Sequence, residues 1–96
     1  MFGLNIGMKV ESDRDFKELQ NQFSAWRKRF PMFTHDVLQI EKMINTHIQQ
    51  HSKIMVAYRQ THSRSHLERA QKEIDAINQI IGTVEKLELM AMLSRG

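Results

Sequence analysis

Apolar and polar positions alternate strictly through the opening MFGLNIGMKV. Phe2, Leu4, Ile6, Met8 and Val10 are apolar, whereas Gly3, Asn5, Gly7 and Lys9 are small or polar. Period two is the pattern of a half-buried β-strand, which predicts a strand arm over residues 1–11. From Ser12 the spacing lengthens to three and four. Phe16, Leu19, Phe23, Trp26 and Phe30 make one stripe, the signature of an amphipathic helix over 12–30. Ser12 suits its N-cap, and Asp13 and Asp15 the positive end of its dipole. Arg27, Lys28 and Arg29 fall in the last turn, and Pro31 stops the helix.

A second helix is predicted over 34–60, with Thr34 as N-cap and Phe33 and Leu38 at the spacing of a hydrophobic staple. Its stripe runs Val37, Ile40, Ile44, His47 with Ile48, His51, Ile54 with Met55, and Tyr58. No apolar residue occurs from Arg59 to His66. Ser65 and Glu68 then have capping-box spacing, and a third helix is predicted over 65–94. Its stripe is Leu67, Ala70, Ile74, Ile77, Ile81, Val84 and Leu87. Nine residues separate Tyr58 from Leu67. At about 100° each, one unbroken helix would put the two stripes on opposite sides. A turn near Thr61–Ser65 brings them into one interface and makes an antiparallel hairpin. Gly82 interrupts the third helix as a weak point, but the apolar register continues across it.

The expected fold is therefore mainly α: one domain, 1–96, with an N-terminal strand and three helices, the last two a long hairpin. The strand has no partner within the chain, so it is expected to pair with another polypeptide, most simply a second copy. Leu87, Leu89, Met90, Ala91, Met92 and Leu93 also cover more than one helix face. Either they plug the end of the bundle or another surface packs there. The candidate self-association residues are Phe2, Leu4, Ile6, Met8, Val10, Leu89, Met90, Met92 and Leu93.

Composition narrows the chemistry. The chain has 96 residues and no cysteine, so neither a disulfide nor a thiolate site is available. There is no basic segment leading into an apolar core at the N-terminus, and no run near the roughly 18 apolar residues of a membrane span. The expectation is a soluble, cytoplasmic protein that makes no membrane contact and needs no cofactor. The net charge is only +3, but it is unevenly placed. No acidic residue lies between Glu41 and Glu68, an interval holding Lys42, Lys53, Arg59, Arg64 and four histidines. Asn5, Lys9, Lys53, Tyr58, Arg59 and Arg64 are the candidate contacts to an anion or nucleic acid.

His47 and His51 are four apart, as are His62 and His66, a helical chelating spacing. The two pairs would lie about 22 Å apart on one helix and at different heights in a hairpin, so a four-histidine metal site is not expected. His51 reads as a hydrogen-bonded core histidine whose charging by acid would loosen the hairpin, and the tip pair reads as solvated. No phosphate loop, nucleophile elbow or paired-carboxylate site is present, so an enzyme is not expected.

The order strand, helix, helix resembles in outline the ribbon–helix–helix DNA-binding family. That resemblance covers about half the chain and implies paired strands entering the major groove, with Asn5 and Lys9 towards the bases. The chain departs from the family pattern in three ways. Its outward strand face carries one charge, its second helix is about twice as long as that arrangement requires, and its helix link, PMFT, lacks glycine. The favoured expectation is a non-catalytic assembly protein, adaptor or inhibitor that binds itself and another protein. A small DNA- or RNA-binding protein is the alternative.

Overall fold

The computed structural model describes residues 8–94. Ser12 caps a 3-10 turn, Asp13–Asp15, which runs directly into α1 (Phe16–Arg29). The cap is a capping box: the Ser12 hydroxyl accepts from the Arg14 amide, and the Asp15 carboxylate accepts from the Ser12 amide. A second 3-10 turn, Pro31–Phe33, reverses the chain into α2 (Thr34–Thr61), and α3 (Arg64–Ser94) returns alongside it. Thr34 is the first helical residue rather than the cap, and its hydroxyl donates to the Pro31 carbonyl. Leu38 is exposed, so no hydrophobic staple closes this end.

The hairpin predicted from helical phase is present. His62 makes the tip by adopting the left-handed conformation, φ 53° and ψ 26°, with its amide donating to the Tyr58 carbonyl. Helix α3 starts one residue before the predicted Ser65. Its 31 residues span about 46 Å, against about 21 Å for the 14 residues of α1. Helix α1 therefore covers less than half of a molecule 54 Å long.

All five residues of the α1 stripe are buried. A helix of 14 residues is marginal alone, and each large buried apolar side chain contributes about 1.5–3 kcal/mol, so docking is what holds it. Contacts fix its direction, antiparallel to the first half of α2. Phe16 meets His51, Gln20 bonds Asn45 at 2.9 Å, and Arg27 pairs with Glu41. Arg29 pairs with Glu88, tying the end of α1 to α3 as well. Beneath α1 lie Val37, Ile40 and Ile44 of α2 and Ile74, Ile77, Ile81, Val84 and Leu87 of α3. Beyond Ile54 and Ala70 the molecule thins to two helices.

The predicted N-terminal strand is overturned. No strand occurs among the described residues, and Met8–Val10 run as irregular chain. Val10 is 1% exposed and belongs to the chain's own core. Its amide donates to Asn78 Oδ1 at 2.8 Å, and Asn78 Nδ2 donates back to the Val10 carbonyl at 2.8 Å. One carboxamide thus satisfies both backbone groups, the service a neighbouring strand would perform. The outline resemblance to the ribbon–helix–helix family falls with the strand, and the 28 residues of α2 exceed its helix length as well. The remaining residues of the predicted arm, Phe2, Leu4, Asn5 and Ile6 among them, lie outside the described residues.

Candidate interaction surfaces

The self-association candidates separate into two groups. Met8 is half-buried against the core and Val10 is fully buried in it, so both are already committed within the chain. The C-terminal set is free. Leu87 and Ala91 point inward, whereas Leu93 is 75% exposed, Leu89 59%, and Met90 and Met92 each 48%. At about 100° per residue these four occupy roughly 160° of the outer circumference of α3. They do not plug the bundle's end, because Leu87 and Ala91 already do so. Met32, 54% exposed, extends the patch onto the turn before α2, with its sulfur 3.7 Å from the Ser94 hydroxyl. Five neighbouring large apolar side chains at one end of a small domain are the kind of surface that marks a contact site.

The opposite end is polar and basic. Lys53, Arg59 and Arg64 are exposed and form no ion pair among the described residues. Arg59 and Arg64 flank the turn, and Lys53 lies about 9 Å further down α2. Tyr58 is half-buried and packs edge-on to the His62 ring, with centroids 5.7 Å apart. His66 is half-buried rather than solvated, and its Nδ1 has no partner among the described residues. Lys9 is exposed on the irregular N-terminal segment, far from this group in the fold. The structure therefore brings Tyr58, Arg59 and Arg64 together and leaves Lys9 out.

Where three helices become two, a cleft of about 220 Å³ opens beside His51, between the acidic segment Glu11–Asp13 and Met55, Leu67 and Ile74. His51 is 5% exposed, and its ring stands edge-on to Phe16 at 5.1 Å, so an aromatic contact takes the place of the expected hydrogen bond. Burial pushes its pKa below the usual 6.5, partly opposed by the charges of Asp13 and Glu73. His47 does not line this cleft, and its Nδ1 lies 2.6 Å from Glu73 Oε1. The i, i+4 pair is thus split between a carboxylate and a phenyl ring. No group of three or more metal-ligating side chains gathers among the described residues. No helix among them is long and apolar enough to cross a membrane.

Sequence reasoning missed Asn78, whose clamp on Val10 spans 68 positions, and the Arg27–Glu41 and Arg29–Glu88 pairs. A polar residue inside the apolar register of α3 was the one available sign of the clamp. Comparison of the chain with protein families, with curated proteins and with solved structures finds no match.

Proposed function

We propose that this chain is a non-catalytic, self-associating interaction protein whose contact surface is the apolar end of the hairpin. The observation that carries this reading is the outward set Leu89, Met90, Met92 and Leu93, continued by Met32. Among the described residues the core beneath is complete without them, and packing against another molecule would bury their apolar surface. The His51 cleft supports the non-catalytic half of the reading. Its histidine is held against Phe16, without the hydrogen-bonded carboxylate that would orient a general base.

The test is the solution mass of the wild type beside Leu89→Glu/Leu93→Glu. Both side chains are exposed, so the variant should keep the wild-type circular dichroism while its mass falls to that of one chain. A variant that associates as the wild type does would place the contact elsewhere and refute this surface.

One observation favours a second reading, an anionic partner at the hairpin tip: Arg59 and Arg64 beside Tyr58, with Lys53 further down α2, form no ion pair among the described residues. Contact with a phosphate backbone through them would weaken steeply with salt. Arg59→Ala/Arg64→Ala should then reduce binding to a random duplex and flatten its salt dependence. Duplex affinity that is absent, or unchanged in that variant, would dismiss the tip.

A further inference from the structure

Gly82 is the residue of α3 that the chain's own packing does not explain. Glycine weakens a helix interior relative to alanine, yet a Cβ placed at Gly82 would have no atom of the described residues within 4 Å. The fold needs no empty space there. Its neighbours Ile77, Ile81 and Val84 are buried, which turns Gly82 outward. Leu89 lies two turns further along the same line, and Lys86 and Leu93 complete it at spacings of four, three and four. Glu85 flanks the line. Glu85 and Lys86 are both exposed and make no ion pair among the described residues.

Adjacent opposite charges have a property that bears on the occupant of this face: a two-fold axis between them makes the surface complementary to itself. Building on the self-association reading above, we propose that the occupant is a second copy of the chain, its α3 packed antiparallel about a two-fold between residues 85 and 86. That axis sets Glu85 opposite the partner subunit's Lys86, and Lys86 opposite the partner subunit's Glu85. The same axis seats Leu89 over the partner subunit's Gly82, and the partner subunit's Leu89 over Gly82. The missing Cβ lets the helices approach at the short end of the usual 8–10 Å. One axis thus uses both otherwise unexplained features. Sliding the register by a turn would set the two charges against the partner subunit's Met90 and the partner subunit's Leu89 in one direction, and against the partner subunit's Gly82 and the partner subunit's Ile81 in the other, none of them charged. A parallel pairing would stack like charges on each other.

The test separates this geometry from self-association in general. Glu85→Lys and Lys86→Glu each turn two attractions into repulsions and should raise the dimer dissociation constant roughly five- to tenfold. The double swap Glu85→Lys/Lys86→Glu should return it to about the wild-type value. Gly82→Leu, which has open space in the monomer, should weaken association about tenfold or more while the helix signal is kept. The chain has no cysteine, so a cross-link is also diagnostic. A mixture of Gly82→Cys and Leu89→Cys chains should form a disulfide heterodimer under mild oxidation, and neither chain alone should. A wild-type dimer indifferent to all these changes overturns the two-fold while leaving the apolar end as the contact. A wild-type monomer overturns both.

Discussion

Replacing Asn78 with alanine isolates the device that stands where a partner strand was expected. The Val10 amide and carbonyl would lose their partners together, at a residue 1% exposed. An unsatisfied buried polar group costs about 1–3 kcal/mol. Asn78 itself is half-buried, so water reaches part of the vacated space and the lower half of that range applies. The expected loss is about 2–4 kcal/mol for the two groups. That is a large share of the roughly 5–14 kcal/mol available to 96 residues. At about 4–8 °C per kcal/mol for a domain this size, the midpoint should fall by roughly 8–32 °C. Urea and thermal unfolding followed by circular dichroism would measure it. Asn78→Asp sharpens the test. Its Oδ1 can still accept from the Val10 amide, but the second oxygen faces the Val10 carbonyl with no proton to donate. Protonation restores a donor, and the facing carbonyl oxygen favours the protonated form in the folded chain over the unfolded one, so the deficit relative to wild type should shrink as the pH falls towards the usual aspartate value of about 3.9. An Asn78→Ala protein within about 0.5 kcal/mol of wild type would show that the clamp does not hold the N-terminal segment.

Gly82→Ala should stabilise the isolated chain by about 0.5–1 kcal/mol, measured by urea unfolding in dilute solution, because the added methyl meets no atom of the described residues. His62→Gly should also stabilise, by about 1 kcal/mol, since glycine adopts the left-handed tip without the steric cost a histidine bears, offset in part by the lost Tyr58 contact. The His51 pKa is lowered by burial, with Asp13 and Glu73 opposing, so as pH falls the unfolded chain takes up the proton first. The stability from the neutral ring is complete above 6.5 and is lost as pH falls from there towards the lower folded value. Urea midpoints at about pH 7.5 and about pH 5.5 should show that slope in wild type and a shallower one in His51→Leu; equal slopes would exclude His51 as its source. Arg27→Met should cost about 1–3 kcal/mol on thermal unfolding, because it leaves the Glu41 carboxylate, one oxygen of which already has no partner among the described residues, without its cation. The figure is held low because the Arg27 side chain is 45% exposed.

The helices were legible because each repeats one physical requirement along its length. Phe16, Leu19, Phe23, Trp26 and Phe30 had to share a face, and all five are buried. The hairpin followed from phase alone, since Tyr58 and Leu67 sit half a turn out of register on a continuous helix. Its pivot, His62, carried no signal, because a left-handed tip is usually marked by glycine. The strand failed for a different reason. Alternation reports an extended chain lying on an apolar surface, and it holds where it can be seen: Met8 half-buried, Lys9 exposed, Val10 buried. It says nothing about what satisfies the backbone. Here that is the side chain of Asn78, 68 positions away, and no local pattern encodes such a contact. At the other terminus the surplus of apolar residues was readable as a count. Which of them turn outward depended on Leu87 and Ala91 taking the inward positions.

The most direct measurement is the absolute mass of the wild-type chain in solution, at low and high salt, with and without a random DNA duplex. Association through the apolar end of α3 predicts a particle of about twice the 11.4 kDa chain mass in both salts, unchanged by the duplex. A particle of one chain mass at every concentration and salt would contradict it, as would a mass that rises only with DNA and collapses in salt.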